Sequence, residues 1–177
     1  MLKKILLILL LFGAALAIAI SMQPDEFKVT RWTKVNAPPA AAFAQVNDFH
    51  KWEAWSPWAK LDPAMKQTYS GPESGVGAKQ AWVGNSDVGE GSATITESKP
   101  NETIHIKLDF VKPFACANDV EFTFVPEGNL TVVTWSMWGK ANFMSKAMNL
   151  VGFMDSMVGG QFEEGLAGIK KQAEAQK

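Results

Sequence analysis

From Met65 to Trp138 the chain falls into short runs in which apolar residues return at every second position, a spacing that suits strands with one buried face and that no helix could bury on one side. Ile104, Ile106, Leu108 and Phe110 share one face of such a strand, while His105, Lys107 and Asp109 share the other. Six runs read this way: Thr68 to Tyr69, Lys79 to Val83, Gly89 to Thr96, Thr103 to Phe110, Phe114 to Val125 and Leu130 to Trp138. Turn formers such as Gly84-Asn85-Ser86-Asp87 and Glu127-Gly128-Asn129 part them, as in an antiparallel meander. Phe122, Phe124, Val133, Trp135 and Met137 extend the apolar face, which needs a cover.

The carboxyl end supplies one. Met144, Met148, Val151, Met154, Val158, Phe162, Leu166 and Ile169 step by three or four residues, so a single amphipathic helix is expected from about Phe143 to Ala173. Gly159-Gly160 within it costs about 1–2 kcal/mol in helix propensity relative to alanines, which predicts a kink or a close approach there. Before the meander, Phe27, Val29 and Val35 read as a first strand, and Pro39 opens a short helix over Ala40 to Val46. A second helical turn holds His50 to Trp55, and Pro57 is expected to end it. These elements make one α+β domain over residues 23–177, with a curved antiparallel sheet of about seven strands around the last helix.

Residues 1–22 stand apart. Lys3 and Lys4 precede an uncharged run from Ile5 to Met22, roughly 27 Å long as a helix and just enough for the hydrocarbon core of a bilayer. The run reads as an uncleaved membrane anchor, with a cleaved signal segment as the alternative, since Ala17-Ile18-Ala19 offers a small-x-small pattern. Lysines before it and Asp25 and Glu26 after it orient the N-terminus to the cytoplasm by the positive-inside rule. The expected location is a single-pass protein of the inner membrane with its domain on the periplasmic side, or a periplasmic or secreted protein after cleavage. Of 17 Lys and Arg, two lie before the run, which leaves 15 against 18 Asp and Glu beyond it. A net charge near −3 excludes the basic surface that nucleic acid requires.

Asn47 to Trp58, N-D-F-H-K-W-E-A-W-S-P-W, packs three of the seven tryptophans and one of the two histidines into a dozen residues. Indoles bury large apolar areas yet carry an N–H that needs a partner, so Trp52, Trp55 and Trp58 suit either a core end or a cavity wall. His50 with Asp48 and Glu53 is the one group there that could move a proton beside a carbonyl; a solvent-facing or capping histidine is the plainer reading. Gly71 to Gly77 has no following helix and is a turn, not a phosphate loop. Cys116, the only cysteine, excludes an intramolecular disulfide and a cysteine-based metal cluster, and reads as a small buried residue of a strand. No cofactor and no metal set is implied.

The wording A-P-P-A-A-A-F-A-Q-V-N-D-F-H-K-W-E-A-W-S-P-W at Ala37 to Trp58, T-Y-S-G-P-E-S-G-V-G-A at Thr68 to Ala78, G-E-G-S-A-T-I-T-E-S at Gly89 to Ser98 and V-T-W-S-M-W-G at Val133 to Gly139 resembles the bacterial SRPBCC proteins of the START-like superfamily, in their polyketide cyclase/dehydrase-like branch. The resemblance covers nearly the whole domain and implies the helix-grip fold, with a cavity between the concave sheet and the last helix. It puts Trp55, Phe110, Phe122, Trp135, Met137, Met148 and Met154 near that cavity. Flexible methionines agree with a deformable apolar pocket, for which roughly 300–1,000 Å³ is typical.

Three function classes follow from this reading. The first is a binding or carrier domain for a lipid-like or polycyclic hydrophobic small molecule, tethered to the membrane through residues 1–22. The second is a polyketide cyclase/dehydratase-like enzyme on a hydrophobic carbonyl substrate, which would need a polar pair inside the pocket. The third is a structural or assembly factor whose pocket is only a core.

Overall fold

The computed structural model describes residues 2–176, apart from the side chains of residues 153 and 154. Helix α1 (Leu2–Ser21) is followed by β1 (Glu26–Val35), α2 (Pro39–Val46), a 3₁₀ turn (Phe49–Ala54) and α3 (Pro57–Leu61). Six strands come next: β2 (Lys66–Ser70), β3 (Lys79–Val83), β4 (Glu90–Lys99), β5 (Thr103–Lys112), β6 (Cys116–Glu127) and β7 (Leu130–Lys140). Helices α4 (Phe143–Leu150) and α5 (Phe153–Glu174) close the chain.

The seven strands form one antiparallel sheet in the order β1-β7-β6-β5-β4-β3-β2, so the meander is intact and β1 adds to its last strand. Pairings Glu26↔Lys140, Asn118↔Gly139, Phe110↔Cys116 and Val83↔Glu90 lie at one end of the sheet. The opposite end holds Val35↔Thr131 and Thr103↔Thr123. The alternation expected from the sequence holds: Ile104, Ile106, Val120, Phe122, Phe124, Val133, Trp135 and Met137 are buried beneath α5, which contributes Phe162, Leu166 and Ile169. On the outer face Lys107 meets Asp119 at 3.2 Å and His105 lies between Glu97 and Glu121, pairs too exposed to stabilise the fold by more than about 1 kcal/mol each.

Three sequence expectations need correction. The carboxyl end is two helices, because Gly152 takes φ +68° and ends the α4 segment, whereas α5 runs unbroken through Gly159-Gly160. Pro57 does not merely end the 3₁₀ turn; it starts α3 from the first helical position, where its missing N–H costs nothing. Cys116 is exposed rather than buried, since β6 begins with it at the sheet's end, and partial burial still pushes its thiol up.

Helix α1 carries a mean hydropathy of 2.5 over its best 18 residues and is long and apolar enough to cross a membrane. Its last turn meets the domain: Ile20 is buried, α1 packs on α4, and Lys146 Nζ of α4 bonds Asp25 just past the helix at 2.5 Å.

Candidate functional site

The two ends of the space between sheet and α5 are filled differently. At the end where β1 runs into α2, Phe43, Val46 and Phe49 are buried in one core cluster with Ile104 and Phe124, and Phe43 meets Phe124 edge-on at 5.5 Å. This end is solid. The indole N–H of Trp52 donates to the Val46 carbonyl and that of Trp55 to the Gln45 carbonyl, both at 3.0 Å. Those carbonyls belong to the last turn of α2, which has no partners within its own helix, so each indole satisfies a group that would otherwise be orphaned.

At the other end a cavity of about 250 Å³ remains, somewhat below the range expected for a small-molecule site. Bulky rings account for the difference. Trp52, Trp58, Trp82, Phe110, Trp135 and Phe162 wall it, with Ile106, Leu108, Val120 and Met137 on the sheet and Met157 and Val158 on α5. Trp135 stacks on Phe162 at 4.0 Å with planes 9° apart, and Trp58 and Trp55 stand edge-on to it at 5.8 and 5.9 Å. Trp82 meets Phe110 edge-on at 5.7 Å.

Polar lining is sparse: Glu53, Ser56, Gln67 and Gln80. Gln80 Nε2 donates to Gln67 Oε1 at 2.6 Å, and the Tyr69 hydroxyl donates to the same oxygen at 2.7 Å. The Trp135 Nε1 hydrogen, fully buried, has no acceptor among the described residues. It lies within the cage of rings, whose π faces are weak acceptors at best.

Phe110, Trp135 and Met137, expected near the cavity, line it. Trp55 and Phe122 are placed deeper, fully buried behind the lining, where they support Trp52 and Trp135. Met148 is half-buried in α4 and is not part of the wall, and the Met154 side chain lies outside the described residues. Of the proton-moving candidates only Glu53 reaches the lining. Asp48 accepts from the backbone N–H of His50 at 2.9 Å and meets its Nδ1 at 3.0 Å, a capping arrangement. The His50 ring stacks on Tyr69 at 4.1 Å outside the cavity, and burial, followed by the charges of Glu53 and Asp48, pushes the Tyr69 hydroxyl up.

Met65, Trp82, Gln80 and Met157 are lining residues that sequence reasoning left out. The inward parity of Gln80 and Trp82 was present in their two-residue spacing, but β3 has only five residues and nothing in its text sets it against the cavity end.

Known structures share this architecture. Protein CV1439 from Chromobacterium violaceum superposes with a TM-score of 0.60 at 13% identity, covering 85% of this chain and 98% of its own. The di-domain ARO/CYC BexL from the BE-7585A biosynthetic pathway gives 0.63 at 14%, covering 88% of this chain and 52% of its own. SA2116 from Staphylococcus aureus, a protein of unknown function, gives 0.64 at 11%, covering 88% and 98%. At such identities the likeness is one of fold. No curated protein matches in sequence. The family model described as polyketide cyclase / dehydrase and lipid transport matches residues 26–174, all of the sheet and both closing helices, and the chain therefore belongs to that SRPBCC-type family.

Proposed function

We propose that this chain is a membrane-tethered binding or carrier domain for a neutral hydrophobic small molecule, held in the cavity between the sheet and α5. The observation that carries this reading is the lining itself. An aromatic and aliphatic wall closes on about 250 Å³, and Glu53 is the only ionisable side chain among the described residues that line it. An apolar ligand gains about 25 cal/mol for each Å² it removes from water in such a site. An anionic headgroup would be left without a cationic partner, which is costly away from water. The family description, with its lipid transport, supports the same class of ligand.

The enzyme reading finds less support, because of the acid–base candidates Asp48, His50 and Glu53 only Glu53 reaches the lining. Solvent extraction of the purified full chain, followed by mass spectrometry of the extract, tests the proposal. An apolar molecule in stoichiometric amount, absent from a matched preparation of an unrelated single-span protein, is the expected result. Identical extracts from the two preparations would overturn it.

A further inference from the structure

The cavity, the tether and a group of exposed apolar side chains lie at one end of the sheet. The strand ends that pair there are the start of β1, the end of β7, the start of β6 and the end of β5. Helix α1 arrives at this end, with Ile20 buried, α4 packed against it and Asp25 tied to Lys146. Only four residues separate α1 from β1, a link that spans no more than about 18 Å even when fully extended.

Exposed apolar side chains stand at this end beside the charged strand ends Glu26, Lys112 and Lys140. Phe143 and Met144 open α4, Val151 follows it, Val111 lies near the end of β5, and Phe114 sits in the turn between β5 and β6. Phe114 and Val151 are 66% and 75% exposed. Met157 is itself half-exposed and lines the cavity, so the wall of the cavity and the apolar rim meet along the start of α5. Phe43, Phe49 and Phe124, which pack at the opposite end, are not among the residues that line the cavity.

We propose that this rim docks on the surface of the lipid bilayer entered by α1, so that the cavity mouth faces lipid and the ligand passes between bilayer and cavity without crossing water. The proposal rests on the carrier reading and adds the route. The occupant is a bilayer rather than a protein because the rim is continuous with a 20-residue helix that itself has the length and hydropathy of a membrane span. Contact is through apolar insertion. A domain with a net charge near −3 gains nothing from anionic headgroups, so zwitterionic lipid suffices.

The full chain, with Cys116→Ser to remove the native thiol, is labelled with an environment-sensitive fluorophore at Val151→Cys, at Phe114→Cys or, as the distal control, at Asn129→Cys. Each is reconstituted into phosphatidylcholine vesicles that contain a nitroxide-bearing lipid quencher. The Val151 and Phe114 labels are expected to shift to the blue and be quenched, equally at low and high salt, while the Asn129 label stays in water. Rim labels as unquenched as the Asn129 label would overturn the proposal, as would shielding that occurs in native membranes but not in protein-free lipid, which would mark a protein partner. Retention of an extractable ligand is scored separately. Unquenched rim labels on a chain that retains its ligand refute the docking alone, whereas quenched labels on a chain without one refute the carrier reading and leave the docking standing.

Discussion

The guanidinium of Arg31 lies across Gly159, so close that a Cβ built on the glycine would come within 2.0 Å of Arg31 Nη2. Arg31 points inward from β1, and its charge is met by Asp155 at 2.9 Å and Glu163 at 2.8 Å, one turn before and one turn after that glycine. A charged residue on the inner face of a strand is thus accommodated because one helical position carries no side chain. The clamp fixes α5 to β1 beside the cavity and explains why the glycine pair produces a close approach and no kink.

Gly159→Ala and Arg31→Ala should therefore couple. Alanine in a free helix position gains about 1 kcal/mol over glycine. In the native background that gain is offset as the methyl group displaces the guanidinium from its carboxylates. In the Arg31→Ala background the full gain should appear, giving a coupling of roughly 0.5–1 kcal/mol in a double-mutant cycle measured by chemical denaturation. Additive effects would show that the clamp is absent in solution.

The clamp also sets a pH dependence. The Arg31 hydrogen bond holds the Asp155 carboxyl below its ordinary 3.8, and so Asp155 contributes stability at every pH above that value. As the pH falls through the depressed folded-state value the contribution is lost. Thermal melts of the native chain and Asp155→Asn should differ by a constant amount from pH 7 down to about 4 and converge below it. A difference that grows with acid would have the wrong sign.

Two glycines of α5 should respond in opposite directions to alanine. A Cβ at Gly168 would lie 2.8 Å from the Trp55 carbonyl oxygen, a backbone atom that cannot step aside, whereas a Cβ at Gly160 meets nothing within 4 Å. Gly168→Ala is expected to cost about 1–3 kcal/mol by overpacking, and Gly160→Ala to gain about 0.5–1 kcal/mol by propensity. Equal changes would mean that α5 does not seat against the tryptophan turn as described.

Phenylalanine replacements separate the indole N–H groups that are paired from the one that is not. Trp55→Phe leaves the Gln45 carbonyl without its donor, while Trp135→Phe removes a donor that has no acceptor among the described residues. The ring loss is the same in both. Trp55→Phe should be the more costly by about 1 kcal/mol in equilibrium unfolding. The reverse order would show that Trp135 makes a hydrogen bond in solution.

The strands of the meander and their inward faces were legible in the sequence because a period of two survives any curvature of the sheet. Depth was not. Trp55 and Trp135 are both large, aromatic and inward, yet only the second lines the cavity, and what decides it is the position of α2 and α3 above them. The break at Gly152 was hidden because the three-to-four spacing of apolar residues continues through Val151, on the far side of a residue whose φ no pattern records. Arg31 carried no sequence signal for its role, since its partners are 124 and 132 residues away and a lone arginine in a strand ordinarily points to water. Glu53 was named among the acid–base candidates for its nearness to His50, but the 3₁₀ turn sends it to the cavity and His50 to Tyr69.

The central claim is that the space beneath α5 is a ligand site and not a gap in a core, and Ala93 tests it. This residue is buried on β4 and lines the cavity. Ligand content of purified full-length Ala93→Leu, compared with the native chain by solvent extraction and mass spectrometry, is measured beside the melting temperature of each. The account predicts that the leucine occupies the open volume, so that the extracted ligand falls to background while the melting temperature of the ligand-free domain holds or rises. Undiminished ligand in Ala93→Leu, or a loss of about 1–3 kcal/mol of stability as in an already filled core, would contradict it.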